Sequence, residues 1–246
     1  MKALHKAIAE FAVTDLTLVI EPAALAAAQR SLDSAGLLLL GEVHGVRENP
    51  LIIRALMREL GLTSLALEWL DDLASLIRAF LDSGTLADHE GLWPGDGRIT
   101  AGHLAMLAER AAAGPLDLVM FDGITGAGWS WAQRDEAMAE RILAAAGPGA
   151  RTLAVAGNAH TPTRHTKLGV PLGARLARQR PGVRDIRISY AGGNFYNFEP
   201  RQFRPSTNPP PQARLHERDG DLILDLPSAS EAIVPQRPRS WPLLAR

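Results

Sequence analysis

Two short segments of the sequence end an apolar run with a glycine and, three residues later, a histidine. Residues 37–45 read LLLLGEVHG, and residues 153–161 read LAVAGNAHT. In the first segment Glu42 and His44 are two residues apart, so on an extended chain their side chains point to the same side. A carboxylate that orients an imidazole is an arrangement that general acid–base catalysis uses. The spacing therefore predicts a catalytic pair, which His160 of the second segment would join.

Further polar side chains are predicted at the ends of neighbouring strands. In an open parallel sheet the carboxyl ends of the strands form one edge, and ligands bind outside that edge. A single glutamate or histidine after a strand is more often a solvated loop residue or a satisfied structural group. Several such residues at one edge instead indicate a functional site. The predicted edge contains Glu42, His44, Glu68, Asp122, Asn158 and His160.

The rest of the sequence predicts the elements that position this edge. Apolar runs bounded by turn residues predict strands at 37–42, 64–69, 116–123, 151–158 and 185–193. Helical spacing predicts helices at 21–35, 49–61, 71–84, 100–113 and 134–147, and a helix or turn at 169–182. Asn49 and Thr100 are the predicted N-caps of two of these helices. Alternating strands and helices predict an α/β fold, in which a mostly parallel central sheet carries helices on both faces.

The C-terminal part of the sequence has a different pattern. Residues 204–212 form a proline-rich loop. Residues 214–226 have the pattern of a C-terminal β-hairpin that turns at Asp219 and Gly220. The last residues, 235–246, are expected to be loosely ordered.

The composition is that of an ordinary globular protein, with 246 residues and a formal net charge of −1 from 26 basic and 27 acidic residues. The length fits a single α/β domain over residues 1–246, with a core of about 16–200 and the loop, hairpin and tail at 201–246. Without a basic excess, nucleic-acid binding is not expected. The lack of cysteine excludes disulfides, thiolate metal sites and a cysteine nucleophile. No apolar stretch is long enough for a membrane span, so we expect a soluble cytoplasmic protein. The sequence leaves open whether the protein forms oligomers.

Four stretches together resemble the superfamily that joins erythromycin esterases, Tiki-type proteases and ChaN-like haem-binding proteins. They are LLLLGEVHG at 37–45, LALEW at 65–69, RDEAMAERI at 134–142 and TLAVAGNAHT at 152–161. The occurrence of all four stretches in this order is more specific than any one motif. The resemblance spans roughly residues 37–171. The sequence departs from the ChaN-like pattern at Gly45, where aspartate is expected, and it has no cysteine for lipid attachment.

What the resemblance implies differs between the branches of the superfamily. Likeness to erythromycin esterases implies a metal-independent hydrolase, in which His44 is the base that activates water and Glu42, Glu68 and His160 support it. Likeness to Tiki-type proteases implies that His44, Glu68 and His160 bind a divalent metal such as Mn, Co, Zn or Fe. The residues leave both mechanisms open, and we favour the metal-assisted one because histidines from two separate strands can face one ion. Likeness to ChaN implies the alternative, a haem (tetrapyrrole) or iron-binding protein without hydrolytic activity.

We therefore predict a hydrolase that acts on an ester or amide of a small molecule or peptide. The candidate substrate-binding residues are Arg47, Asp122, Arg134, Asn158 and Arg164. Arg134 could clamp an anionic group of the substrate or pair with Glu68 or Asp122. The other two arginines follow the motif histidines and could bind a carboxylate or phosphate, although each alone is more typical of a solvated loop. Asp135 is interpreted as an acidic residue that favours the helix N-terminus.

The remaining motifs give only weak indications of function. No G-x-S-x-G elbow is present, which disfavours a serine hydrolase. The glycine-rich GITGAG at 123–128 lacks the order of a nucleotide-binding loop. Trp129 and Trp131 could roof a pocket or pack on the edge of the sheet. The histidines interpreted as structural are His5, His89, His103 and His216.

Overall fold

The computed structural model describes residues 1–123, 129–147 and 149–236. Most of the glycine-rich segment and most of the predicted loose tail, at 124–128 and 237–246, lie outside the described residues. The helices are α1 Lys2–Glu10, α2 Pro22–Ala35, α3 Asn49–Glu59, α4 Ala74–Ser83, α5 Ala101–Ala113, α6 Trp131–Ala145 and α7 Leu172–Gln179. The strands are β1 Leu18–Ile20, β2 Leu37–Glu42, β3 Ser64–Leu70, β4 Asp117–Asp122, β5 Thr152–Gly157, β6 Arg184–Tyr190, β7 Asn194–Asn197, β8 Glu199–Gln202, β9 Ala213–Arg218 and β10 Asp221–Leu226.

The described strands form one eight-stranded sheet in the order β1-β9-β10-β6-β2-β5-β3-β4, and β7 and β8 form a separate antiparallel pair. Strands β10, β6, β2, β5, β3 and β4 run parallel to one another. Strand β9 is antiparallel to β10, which confirms the predicted C-terminal hairpin and attaches it to the sheet. Register places Glu42 beside Gly157, so the motif-bearing ends of β2 and β5 are adjacent.

Helices cover both faces of this sheet, as predicted. The four leucines that open the first motif are fully buried, and alternate ones belong to different hydrophobic clusters: Leu38 and Leu40 to one, Leu37 and Leu39 to the other. The first cluster includes side chains of α1 to α5, and the second includes those of α6 and α7. A leucine run suits a parallel strand with two buried faces, and each such side chain contributes roughly 1.5–3 kcal/mol.

Two predicted helix starts need correction. Asn49 is not an N-cap but the first residue of α3, and its side chain bonds to other parts of the chain. Helix α6 begins at Trp131 rather than at residue 134, because Ser130 and Gln133 form a capping box. The predicted Thr100 cap is confirmed, since its side chain accepts from the backbone N–H of His103.

Gly45, directly after His44, is hydrogen-bonded through its backbone to three distant parts of the chain. Its N–H donates to the carbonyl of Gly97 at 2.9 Å, and its carbonyl accepts from the N–H groups of Tyr196 and Ala232. Its φ of +72° and the carbonyl oxygen of Tyr196, 1.9 Å from where a Cβ would lie, leave no room for a side chain. Glycine at this position is therefore dictated by packing. In the described part of the chain, no helix has the length and apolar character of a membrane span.

Candidate functional site

Val43 lies between Glu42 and His44 of the first motif, and both its backbone N–H and its carbonyl are hydrogen-bonded to side chains. Its N–H donates to the Tyr190 hydroxyl at 3.1 Å, and its carbonyl accepts from the Asn49 amide at 2.8 Å. The Tyr190 hydroxyl donates in turn to the Asn49 Oδ1 at 2.9 Å. This closed ring of hydrogen bonds holds Glu42 and His44 in place at the end of β2.

Glu42 and His44 form the pair that the sequence predicts. Glu42 Oε1 lies 3.3 Å from Nδ1 of His44, and Nε2 of His44 lies 3.9 Å from Glu68 Oε2. Burial disfavours the charged imidazole, but the hydrogen bond to Glu42 and the charges of Glu68 and Asp96 outweigh it and raise the pKa of His44. The pKa of Glu42 is lowered in turn, because its two imidazole neighbours overcome the effect of burial.

Glu68 is bonded through both of its carboxylate oxygens. Its Oε2 accepts from the backbone N–H of Gly157 at 2.7 Å, and its Oε1 lies 2.5 Å from Nη2 of Arg134 and 3.1 Å from Nη1 of Arg98. Burial alone would raise the pKa of Glu68, but Arg98 and the neighbouring histidines and Arg134 hold it well below its usual range. The lowered pKa favours the anionic form of Glu68, which binds two guanidinium groups.

The two arginines share a second carboxylate, Asp122. Nη1 of Arg98 donates to it at 2.9 Å and Nη2 of Arg134 at 2.7 Å, while Nε of Arg98 donates to Asp96 at 2.7 Å. Burial opposes the charge on both guanidinium groups, but Glu68 and the aspartates raise the pKa of each. Of the two open interpretations of Arg134, the structure shows the pairing with carboxylates.

His160 is held by three residues from the first turns of α6. Its Nδ1 lies 2.5 Å from Asp135 Oδ1, Nη1 of Arg134 lies 3.2 Å from its Nε2, and Trp131 stacks on its ring at 4.4 Å between centroids. These residues occupy positions i, i+3 and i+4 of the helix, which lie on one face. A guanidinium is always a donor, so Nε2 is an acceptor and the neutral ring carries its proton on Nδ1.

Three predicted substrate-binding residues lie at the edges of this cluster or outside it. Asn158 follows β5, and its side-chain Oδ1 is buried without a partner among the described residues. Arg47 is exposed, with its guanidinium 5.2 Å from the ring centroid of Phe11. Arg164 pairs with Asp221 at 2.8 Å, at the start of β10 rather than at the carboxyl ends of the strands. The structure thus brings together Glu42, His44, Glu68, Asp122, Arg134 and His160.

A small cavity opens between the pair and its neighbours. It has a volume of about 10 Å³ and is lined by Glu42, His44, Glu68, Arg98, His103 and apolar residues. A volume of roughly 10–15 Å³ on this measure holds one water molecule. The space between these described residues therefore suits a water, and it is far too small to enclose a tetrapyrrole.

The predicted metal ligands His44, Glu68 and His160 do not have a donor set that suits a divalent ion. Both oxygens of Glu68 are bonded, one of them to two guanidinium groups, and Nε2 of His160 faces Arg134. The positive charge that an ion would bring is already supplied by Arg98 and Arg134. No group of three histidine, aspartate or glutamate side chains in the described ranges has the geometry of a metal site.

Several residues of the cluster were missed by the sequence interpretation. Arg98 and Asp96 lie in a segment that shows only turn residues, and Asp135 looks like an ordinary first-turn acid. His103 was assigned a structural role, yet its Nε2 lies 3.8 Å from Glu42 Oε2. The RD of the RDEAMAERI stretch is the one signal that marks two of the contacts, Arg134 and Asp135.

Comparison with known proteins supports the fold. No family profile and no curated protein sequence matches the chain. A protein described as a succinoglycan biosynthesis protein has a similar structure, with 12% identity over 95% of this chain and 98% of that one and a TM-score of 0.65. A protein from Bacillus cereus is similar over 96% of this chain and 99% of that one, with 13% identity and a TM-score of 0.64. At these identities the similarity extends to the fold alone.

Proposed function

We propose that the protein is a hydrolase in which His44 is the general base that activates water for attack on an ester or amide of a small molecule or peptide. One observation carries this proposal: Glu42 occupies Nδ1 of His44, while Nε2 faces the space that Gly157 leaves by lacking a side chain. A Cβ at this glycine would lie 3.1 Å from Nε2. That space gives a water molecule access to the basic nitrogen.

The pair would act in two proton transfers. Nε2 of His44 takes a proton from water as the water oxygen attacks the carbonyl carbon, and the imidazolium then gives that proton to the departing alcohol or amine. Glu42 accepts the hydrogen bond from Nδ1–H throughout, so it orients the ring and stabilises the imidazolium between the two transfers. The raised pKa of His44 reflects the same stabilisation.

The tetrahedral intermediate of this reaction places negative charge on the former carbonyl oxygen. The guanidinium groups of Arg98 and Arg134 supply positive charge at the same edge, and each side chain is 18% exposed. They are fixed by Glu68 and Asp122 before the reaction, which is the condition for efficient electrostatic stabilisation. In this proposal Glu68 positions the arginines rather than binding a metal ion.

The proposal includes membership of the superfamily named above, on its esterase-like, metal-independent side. The resemblance of the motifs supports this, and the contacts between Glu42 and His44 and between Glu68 and the arginines are consistent with it. The haem-binding alternative gains no support from a cavity of about 10 Å³.

The test is hydrolysis of a panel of p-nitrophenyl esters and peptide anilides by the intact protein and by His44→Gln. We expect the substitution to lower kcat/KM by roughly 10²- to 10⁴-fold, as for loss of a general base. His216→Gln is the matched control, because His216 also pairs with a carboxylate, Asp225 at 2.8 Å, but on the β9–β10 hairpin. Full activity of a folded His44→Gln protein would refute the assignment, and a rate that chelators abolish would refute the metal-independent mechanism.

A further inference from the structure

Glu42 lies between two imidazoles, and only one of them belongs to the proposed catalytic pair. Its Oε1 is bonded to His44, while its Oε2 lies 3.8 Å from Nε2 of His103. Both Glu42 and His103 are buried, at 4% and 1% exposure. A distance of 3.8 Å is too long for a direct hydrogen bond, and Oε2 has no partner among the described residues. A buried carboxylate oxygen without a donor is costly, so this gap calls for an explanation.

The orientation of His103 is fixed by its place in α5. The hydroxyl of Thr100, the N-cap, accepts from the backbone N–H of His103 at 3.2 Å and lies 2.9 Å from Nδ1 of the same residue. The hydroxyl hydrogen is then available to Nδ1, which leaves the proton of the neutral ring on Nε2. Trp69 packs edge-on against the ring at 6.1 Å between centroids. The Nε2–H of His103 is thus held on the side of Glu42.

The gap between the two groups coincides with the small cavity described above. Glu42, His44 and His103 all line it, and its volume of about 10 Å³ matches one water molecule. A water there could accept a hydrogen bond from His103 Nε2–H and donate one to Glu42 Oε2. It would satisfy both groups at once, which neither apolar packing nor a direct contact at 3.8 Å does.

We propose that His103 is a positioning residue for His44, acting through Glu42 by way of one buried water molecule. The water and His103 hold the plane of the Glu42 carboxylate, so that Oε1 stays on Nδ1 of His44 and Nε2 stays directed toward the substrate. Without the donor at Oε2, the carboxylate turns toward the cavity and its bond to His44 weakens. The consequence for catalysis rests on the proposed hydrolase function, whereas the effect on the state of His44 does not.

The first test is a crystal structure of the unaltered protein. We expect one ordered water within hydrogen-bond distance of both Glu42 Oε2 and His103 Nε2. Well-defined density with no water there would overturn the proposal, as would a cavity closed by direct contact between the two side chains. This measurement requires no substitution and does not depend on any activity.

The second test uses protein labelled with ¹⁵N-histidine, in which the chemical shifts of the ring nitrogens of His44 are measured at one fixed pH. We expect His103→Leu to move the Nδ1 resonance of His44, and His103→Gln, whose amide can donate in the same direction, to restore it toward the original position. His216→Gln is the control and leaves the resonance unchanged. An unchanged His44 resonance in folded His103→Leu would overturn the proposal; should that variant not fold, His103→Met is compared with His103→Gln in the same way.

The third readout is kinetic and applies once a substrate is known. His103→Leu should lower kcat, by less than the roughly 10²- to 10⁴-fold loss expected for removal of the base, and should leave KM unchanged. His103→Gln should recover most of the lost rate. If the ¹⁵N shifts respond as expected while no substrate is ever hydrolysed, the positioning role stands and the hydrolase assignment fails.

Discussion

The carboxylate of Asp135 lies 2.5 Å from Nδ1 of His160, and this contact separates the roles of the two motif histidines. With Arg134 donating to Nε2, both nitrogens of His160 are engaged within the protein. Such a ring has no free lone pair with which to accept a proton from water. His44 instead uses only Nδ1 for a carboxylate, which leaves Nε2 beside Gly157 and Glu68. The two G-x-x-H segments are therefore alike in sequence, but the imidazole of His160 is bonded at both nitrogens whereas that of His44 keeps Nε2 available for a proton.

Gly157→Ala should close the space beside the base. The added Cβ would lie 3.1 Å from Nε2 of His44 and 3.6 Å from Glu68 Oε2. Both side chains are held in place by other hydrogen bonds. We expect kcat/KM to fall by roughly 10- to 100-fold through displacement of the attacking water, with the fold retained. Steady-state kinetics with the best ester or amide substrate measure this. Gly147→Ala is the control, because no atom of the described residues lies within 4 Å of its Cβ position beyond its chain neighbours, and equal effects of the two substitutions would argue against an open Nε2 face.

The activity should depend on pH through His44. A general base works in its deprotonated form, and the pKa of His44 is raised above its ordinary value of 6.5, so kcat/KM should still be rising with pH above that value. Glu42→Gln replaces the charged acceptor at Nδ1 with a neutral amide, which weakens the interaction that raises this pKa, so the rising limb should move to lower pH while the plateau falls. A pH–rate profile of both proteins checks this, with His216→Gln as the unaffected control. A limb that stays in place after Glu42→Gln would contradict the pairing.

Much of the fold was predictable because its signals are local. The apolar run of β2 and the periodicity of α2 belong to contiguous residues, and strand–helix alternation then implies a parallel sheet with two covered faces. The short strands β1, β7 and β8 were missed, since three or four residues carry too little periodicity to detect. Their places depend on pairing with residues distant in the sequence.

The site was predictable only where chemistry and strand ends coincide. Glu42, His44 and Glu68 come at the ends of buried strands, so their convergence follows from topology. Arg98 reaches the same edge from a loop, and its bonds to Asp122 and Glu68 cross 24 and 30 residues of sequence. The two guanidinium groups that occupy Glu68, which disfavour the metal interpretation, could not be placed from sequence for the same reason. A pattern of types and spacings gives no information on which side chain neutralises another.

Glu68→Gln should destabilise the fold more than a typical surface substitution. It leaves the partly buried Arg98 and Arg134 with less opposing charge, and we expect a loss of about 3 kcal/mol in the free energy of unfolding at pH 7. Urea denaturation measures this, with Glu136→Gln on the exposed face of α6 as the control, for which about 0.5 kcal/mol or less is expected. Near-equal stability of the two variants would contradict a structural role of the Glu68 carboxylate.

The same carboxylate predicts an acid limit to stability. The pKa of Glu68 is lowered in the folded protein, so its contribution is present above its ordinary value of 4.5 and is lost as pH falls from there through the lowered pKa. The stability difference between the unaltered protein and Glu68→Gln should therefore shrink as pH drops below 4.5. Urea denaturation at several pH values measures the difference, and a gap that stays constant or widens toward acid would show that Glu68 is not held as an anion by the arginines.

Asp135→Asn should disturb His160 without touching the proposed base. The Asp135 Oδ2 is buried and has no partner among the described residues, so an amide nitrogen there would be unsatisfied; turned toward Nδ1 instead, it would force the ring proton onto Nε2 and against Arg134. Either orientation should cost about 1–3 kcal/mol of stability. Two-bond ¹H–¹⁵N spectra should show the tautomer of His160 changed or mixed, while the ring nitrogens of His44 keep their shifts. Glu136→Gln, one residue further along α6, should change neither ring, and a His160 spectrum unaffected by Asp135→Asn would remove Asp135 as the residue that fixes the tautomer.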